Sequence, residues 1–568
     1  MRVRTWRALL ALLAVFAFLA ASCGGDDDDG GSGTGNEAGD DTGSDDGGEQ
    51  ASGGTLVFGA SADPVVLDPA YVSDGESFRV IDQIFETLVT TEPGGTELAP
   101  ALASEWEGAE DGMSWTFTLE EGVTFHDGEP FNAEAVCVNF ERWYNFTGVQ
   151  QSAAVSYYWQ TVFGGYAQNE DDALGESLYE SCEAVDETHV TINLTRPSAS
   201  FLPGLAVSAF GIASPKALEE GGADDVGGTA EEPDLNTAFG TENPVGTGPF
   251  MFDSWTRGES LRIVRFDDYW GEKAILDEVI FRPIADGPAR RQALESGEIQ
   301  GYDLVDPADL GDLEAGGFQI MPRPAFNVGY LGFNQSHAPL DNQQIRQAIA
   351  HAIDRESLVS SLYPEGAEVA QEFMPPDLFG WTEDVTQYDY DPDMARQLIE
   401  DSGVTDLNLD FWYPTGVSRP YMPDPQANFQ AMAEDLEAVG FTVTPHAAQW
   451  DTDYLDGVDS GQAPMYLLGW TGDYGDPDNF VGTFFQQQSP QFGFDNQEIF
   501  DALNEAEAET DEEARTAAYE EANRLIMDFL PGLPYVHTSP ALAFAPNVQG
   551  YVPSPVSLES FATVSIED

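Results

Sequence analysis

Apolar positions recur along this chain with two periods, and the period shifts from segment to segment. Near-alternation in Thr55-Leu56-Val57-Phe58-Gly59 predicts a strand that opens the fold. Residues 79–88 carry apolar side chains at helical spacing. Residues 113–119 alternate as a half-exposed strand does, and 122–127 follow across a short turn, which predicts a hairpin or meander. Residues 132–143 read as a helix with Asn132 as N-cap and Glu134 and Glu141 exposed. Strands are predicted over 188–194 and 262–266, and an exposed loop over the Gly- and acid-rich stretch 217–242. Residues 287–296 form a helix stopped by Gly297. The cleanest amphipathic helix spans 341–359, with Ile345, Ala348, Ile349, Ala352 and Ile353 on one stripe. Two more helices cover 391–402, with Pro392 in the first turn, and 425–439, ended by Gly440. A strand follows over 441–444, and 495–529 hold one or two helices. Strands mixed with helices, without a repeat period, predict an α/β body.

The N-terminus breaks this pattern. Arg2, Arg4 and Arg7 precede an apolar run over 8–21, whose 14 residues are too few to span a bilayer comfortably. That is signal-peptide architecture, assigned to 1–22. Ala20-Ala21-Ser22-Cys23-Gly24 resembles a bacterial lipoprotein processing site, in which the cysteine becomes the first mature residue and carries lipid. The residue three before the cysteine, usually Leu, is Ala20 here, and an ordinary secretory signal with an incidental cysteine is the other reading. Residues 23–53 are mainly Gly, Asp and Ser, a composition that stays extended and self-repelling, as a tether between lipid and body would. Removing Cys23 leaves Cys137 and Cys182; in an exported chain these form a disulfide or stay as two buried thiols.

Composition narrows the function classes. With 568 residues and 42% hydrophobic side chains, the chain has ample apolar surface for several cores. A formal charge of −80 argues against nucleic acid, which needs clustered Lys and Arg. The bland account of that charge is a solvated acidic surface suited to a salty medium. Neither lysine, Lys216 nor Lys273, sits in a phosphate-loop motif. The histidines at 126, 189, 337, 351, 446 and 537 lack the helical spacing of a metal site, and no G-x-S-x-G elbow or dinucleotide fingerprint is present. No metal and no cofactor are expected.

Two aromatic-rich, Gly- and Pro-punctuated segments stand apart. One runs from Trp470 through Gly472 and Asp473 to Phe480; the other from Phe411 through Ser418-Arg419-Pro420-Tyr421. Each sets one charge among aromatics, where low local dielectric strengthens a specific ion pair. One charge is acidic and the other basic, so a small zwitterion would satisfy both, its carboxylate on the planar fork of Arg419. Alternatively Asp473 caps a turn and Arg419 pairs with a surface acid.

Several motifs together resemble family 5 of the bacterial extracellular solute-binding proteins, the peptide and nickel class of ABC importers. They are Pro100-Ala101-Leu102-Ala103 with Trp106, the stretch 117–130, Val245-Gly246-Thr247-Gly248-Pro249-Phe250, Asp268-Tyr269-Trp270-Gly271, Leu331-Gly332-Phe333-Asn334, and Ile345-Arg346-Gln347-Ala348 with Ala352-Ile353-Asp354-Arg355. The resemblance implies an α/β, two-lobed periplasmic-binding-protein fold with a hinge and an inserted extra domain, the cluster C type. The expected division is a discontinuous first domain over 54–92, 212–322 and 525–568, a second over 93–211 and a third over 323–524. It implies a monomeric, non-enzymatic binding protein on the outer face of the cell membrane, whose lobes close on a solute and hand it to a permease. The 470–480 and 418–421 segments are similar to those of the family's dipeptide-binding members. That similarity gives Asp473 the peptide's ammonium and Arg419 its carboxylate, with Trp470, Gly472 and Tyr421 beside them and Ser73 near the cleft. The acid-rich sequence departs from the usual Lys-rich surface of such proteins. Other solutes of the family (nickel chelate, haem, opine, oligosaccharide), a receptor or chaperone reusing the fold, and a secreted hydrolase are the alternatives.

Overall fold

The computed structural model describes residues 53–567 apart from 173 and 231, and only the backbone of 451 and 452. The predicted signal peptide, Cys23 and nearly all of the tether lie outside the described residues. Three sheets organise the rest.

The first sheet has seven strands, in the order Phe250–Thr256, Ser260–Arg265, Glu278–Pro283, Thr55–Ala60, Gly301–Tyr302, Ala541–Phe544, Gln319–Pro322. Thr55–Ala60 lies parallel to both its neighbours. Its unbroken apolar centre suits a strand covered on both faces, and Leu56 and Phe58 are fully buried. The second sheet has four antiparallel strands, Ala103–Gly108, Ser114–Leu119, His189–Leu194 and Tyr179–Ala184. Its alternation is that of a one-sided sheet: Val190, Ile192 and Leu194 are buried and the residues between them are not. The helix Ala133–Tyr144 packs against this sheet, and Cys137 is bonded to Cys182 across a Cα separation of 5.3 Å, tying helix to edge strand. Asn132 caps that helix by accepting the Ala135 N–H.

The third sheet runs Thr442–Gln449, Asn408–Thr415, Met465–Thr471, Asn327–Phe333, Gly532–Val536. The first three strands are parallel and the last two antiparallel to their neighbours. Because Gly532–Val536 completes this sheet, the chain re-enters the first sheet only at Ala541–Phe544. The boundary expected at 525 therefore falls inside the helix Glu512–Phe529, short of the last strand of the third sheet. Two connections join the first and third sheets, 323–326 and 537–540, and they run side by side. Arg323 N–H donates to the Pro540 carbonyl (2.8 Å), and Asn327 exchanges side-chain hydrogen bonds with both backbone groups of Thr538 (2.8 and 3.0 Å). Beneath them Arg323 is fully buried and paired with Asp303 (2.7 Å) and Glu559 (2.6 Å), while Arg79 also reaches Asp303 (2.5 Å).

Four local expectations need correction. The helix expected over 79–88 is Gly75–Ile84: Asp74 caps it by accepting the Ser77 N–H, and Phe85 is already extended. Apolar spacing continues past Ile84, but those side chains are buried from an extended segment that leads into the strand Val89–Thr91. The long helix over 341–359 is two, Gln343–Ala352 and Arg355–Leu362. Ile353 is extended, and Asp354 accepts the Ser357 N–H as a second N-cap inside the periodic run. Residues 122–127 do not pair with the preceding strand; Ser114–Leu119 takes Ala103–Gly108 and His189–Leu194 as neighbours, leaving one bridge between Thr124 and Pro130. Finally, 217–242 is no simple exposed loop. Two short helices, Pro215–Glu220 and Ala238–Thr241, flank it, and Leu218, Leu235 and Phe239 are buried.

Candidate functional site

Asn408–Thr415 and Met465–Thr471 are neighbouring parallel strands, with Phe411 opposite Met465 and Trp412 opposite Tyr466. Their C-terminal ends leave the sheet on one edge, Arg419 following four residues after the first and Asp473 two residues after the second. In open parallel sheets the loops beyond the carboxyl ends form the ligand crevice.

The Arg419 loop is fixed from both sides. Arg419 and Met422 exchange backbone hydrogen bonds (3.1 and 2.9 Å), closing a tight turn over Pro420 and Tyr421. Tyr421 is buried in a slot made by two glycines, Gly329 and Gly469, which face each other across paired strands. A Cβ on Gly469 would stand 2.3 Å from the Tyr421 ring, and one on Gly329 would stand 2.9 Å from its carbonyl oxygen. Thr538 Oγ1 donates to the Pro420 carbonyl (2.8 Å), so the loop is bonded to one of the two interlobe connections. The Arg419 guanidinium lies over the Trp450 ring, 4.6 Å from its centre, an arrangement that suits a planar cation. Its Nε is buried without a partner, and among the described residues no carboxylate pairs with it. Burial pushes the Tyr421 phenol up to about 12, opposed by the Arg419 charge. Arg419, Ser418 and Pro420 line a cavity of about 250 Å³ shared with Arg290 and Tyr302 of the first lobe.

Asp473 is engaged differently. Tyr158 Oη donates to its Oδ1 (2.7 Å) and Asn479 Nδ2 to its Oδ2 (3.2 Å), while the Asp473 N–H donates to Asn479 Oδ1 (2.7 Å). Trp470 Nε1 donates to the same Asn479 oxygen (3.3 Å). One buried asparagine therefore orients both the acid and the tryptophan. Trp470 lies between Tyr157 and Phe484, with ring centres 6.2 and 6.1 Å away. Burial pushes the Asp473 carboxyl up to about 6, and the bonds from Tyr158 and Asn479 hold it from rising further. Gly472 is required by packing, since a Cβ there would come within 2.2 Å of the Phe326 ring. Capping in this segment belongs to Asp476, which accepts the Asp478 N–H and grips Arg515 with both oxygens (2.6 and 2.9 Å).

The void at Asp473 measures about 20 Å³, room for one water and not for a ligand. It shares Thr91, Ser208 and Leu558 with a larger cavity of about 550 Å³ lined by Asp82, Glu86 and Glu92 and by no basic residue. There Glu86 is fully occupied by Tyr269 Oη (2.7 Å), Trp270 Nε1 (2.9 Å) and Thr247 Oγ1 (2.7 Å), and burial pushes Asp82 up to about 7. The voids thus differ in character: only acids among the charged residues on the Asp473 side, two arginines with two aspartates on the Arg419 side. None of the described cavities is lined by both Arg419 and Asp473. The Tyr158 hydroxyl thus occupies one oxygen of Asp473. Ser73 is exposed ahead of the cap residue Asp74 and lines none of these voids. Tyr158, Asn479, Trp450 and Arg290 were not expected. Asn479 sits inside the recognised segment, but nothing in sequence marked which of its polar residues orients the others. Among the described residues, no group of three or more His, Cys, Asp and Glu could hold a metal ion, and no helix is long and apolar enough to cross a membrane.

Comparison with known proteins places these features. The family model described as bacterial extracellular solute-binding proteins, family 5, matches residues 97–492. The dipeptide-binding protein of Escherichia coli (strain K12) is 31% identical over 90% of this chain and 95% of its own length. Heme-binding protein A of Haemophilus influenzae is 29% identical over 91% and 93%. Among solved structures, the periplasmic binding protein DppA from Helicobacter pylori in complex with the peptide STSA superposes with a TM-score of 0.76 at 27% identity, covering 92% of this chain and 99% of that one. A dipeptide binding protein from Pseudoalteromonas sp. SM9913 in complex with Met-Leu gives a TM-score of 0.76 at 26% identity, covering 90% and 100%.

Proposed function

This chain belongs to family 5 of the bacterial extracellular solute-binding proteins, and on that premise we propose that it captures peptides of two or three residues between its lobes and delivers them to a membrane permease. It is a solute-binding transport protein, not an enzyme. The observation that carries the peptide reading is the Arg419 guanidinium, stacked on Trp450 and free of any carboxylate among the described residues, in a chain with 101 acidic side chains to choose from. A half-buried guanidinium whose Nε is buried without a partner, amid such an excess of acid, is suited to a ligand carboxylate. Asp473, on the same sheet edge, would take the ammonium once Tyr158 swings away. A ligand gripped at both ends is limited in length, with its backbone read by strand-like hydrogen bonds. Closure would carry the first two sheets as one body against the third, residues 323–536, about the paired connections.

Calorimetry with Ala-Ala, its N-acetylated form and its C-amidated form tests this. Tight binding of the free dipeptide and weak binding of both capped forms is expected; equal affinities would refute it. We also infer that Cys23 carries lipid and holds the mature protein at the outer face of the cell membrane through the acidic tether. Mass spectrometry of the native protein should find a modified Cys23 as its first residue; an unmodified Cys23 ends that reading.

A further inference from the structure

The cavity beside Arg419 is larger than a carboxylate needs, and a second guanidinium faces it. Its volume of about 250 Å³ corresponds to about eight waters of liquid, so it has room for a side chain as well as a terminal carboxylate. Arg290 lines it from the first lobe, on the helix Gly287–Ser296, and Arg419 lines it from the third. Arg290 is 5% exposed. Its Nη1 donates to the carbonyls of Ile284 (2.7 Å) and Ala285 (3.0 Å), which sets the side chain in place. Its Nε is buried without a partner, as is the Nε of Arg419. Only one other arginine among the described residues, Arg524, has such an orphan nitrogen, so two of the three meet at one cavity. Neither Arg290 nor Arg419 forms an ion pair among the described residues, whereas Arg291, next in sequence to Arg290, pairs with Glu295, Asp309 and Asp312.

The remaining lining is mixed in sign. Gly287 and Pro288 bring the N-terminal end of the Arg290 helix to the cavity wall, an end already capped by Asp286, which accepts the Ala289 N–H (2.9 Å). Two acids also line the space, and both are engaged: Asp309 by Arg291, and Asp306 as the cap accepting the Ala308 N–H (2.9 Å). Pro364, Pro423 and Leu310 supply apolar walls that exclude water and so strengthen any charge pairing inside.

From these observations we propose that Arg290 is a specificity-determining residue that selects peptides with an acidic C-terminal residue. Arg419 holds the terminal carboxylate, and Arg290, from the opposite lobe, holds the side-chain carboxylate of the same residue. This rests on the peptide reading above and sharpens it. It also links selection to closure, because the two carboxylates of one residue would bridge two lobes.

The test compares Ala-Glu with its neutral isostere Ala-Gln by calorimetry on the full-length protein at pH 7.5, for wild type, Arg290→Gln and Arg290→Lys. Wild type should bind Ala-Glu ~10-fold or more tighter, the size expected of one charge-assisted bond. Arg290→Gln should abolish that preference; Arg290→Lys should keep part of it. Equal affinities in wild type overturn the proposal without touching the peptide reading, and need no variant to fold. A preference that survives in Arg290→Gln also overturns it. If neither dipeptide binds wild type, the peptide reading itself falls, and this proposal with it.

Discussion

If Asp473 takes the ligand ammonium, as proposed, binding should depend on pH in a calculable way. Its carboxyl is raised from 3.8 to about 6 by burial. If only the ionised form binds, the apparent dissociation constant is multiplied by one plus the protonated-to-ionised ratio. Between pH 7 and pH 5 that factor grows about tenfold, and it grows about tenfold more by pH 4. The ligand adds little slope above pH 5, since an α-amino group titrates near 8 and an α-carboxyl near 3.5. Burial also raises Asp82, in the adjoining acidic cavity, to about 7 and Asp478, five residues past Asp473, to about 8. Tyr158, the hydroxyl donor to Asp473, is pushed far above the range by burial.

The same shift has an opposite consequence for stability. A raised carboxyl favours the folded state fully below pH 3.8, and that advantage is lost as pH rises through about 6. At pH 7.5 the ionised, buried Asp473 therefore costs the unliganded protein on the order of 3 kcal/mol. Asp473→Asn should raise the melting temperature at pH 7.5 while weakening dipeptide binding and flattening its pH profile. Calorimetry from pH 7.5 to 4.5 together with melting curves reads all three. A wild-type affinity that stays level from pH 7 to pH 5, or a variant that binds as tightly as wild type, refutes the assignment of the ammonium to Asp473.

Arg419→Ala should weaken neutral dipeptides by ~2–5 kcal/mol in calorimetry, because the ligand carboxylate would be buried without a partner; a loss under ~0.5 kcal/mol would mean the carboxylate goes elsewhere. Gly469→Ala places a Cβ 2.3 Å from the Tyr421 ring and should both destabilise the fold by ~1–3 kcal/mol and displace Arg419, seen as a lower urea midpoint and weaker binding; a variant with unchanged affinity would show that the slot does not position the loop. Arg323→Met leaves buried Asp303 and Glu559 with Arg79 as their single shared cation and should cost ~3–5 kcal/mol in urea unfolding at pH 7. Because Arg79 and Arg323 hold Asp303 well below the usual carboxylate range, the pairing should persist through mild acid, so a wild-type unfolding midpoint that collapses between pH 7 and pH 5 would contradict it.

What could be read beforehand followed from local physics. Strands such as Thr55–Ala60 and His189–Leu194 announced themselves because the same side chains that set the period are the ones buried. Helix limits were less legible where a polar cap interrupts an apolar period: Asp354 could be one more exposed residue of a long helix until tertiary packing makes it an N-cap. Arg419 and Asp473 were visible as isolated charges among aromatics. Their partners were not, because those come from far along the chain: Tyr158 meets Asp473 across a separation of 315 residues, and Arg290 reaches the Arg419 cavity from another sheet. The long-range ion pairs under the two connections, such as Arg323 with Glu559, 236 residues apart, leave no local pattern at all. Likewise the strand Gly532–Val536 reads as apolar in sequence without saying which of two sheets receives it.

The twin connections between the lobes, laced by Asn327 and Thr538, have a mechanical meaning. One cord lets two bodies swivel about any axis; two cords laid together permit flexing about a single line and resist twisting. The closure proposed above would then have one degree of freedom, and every shut molecule would present the same outer contour. Since Thr538 also holds the Pro420 carbonyl, the arginine is fastened to that axle, and whatever tugs on its guanidinium tugs on the pivot.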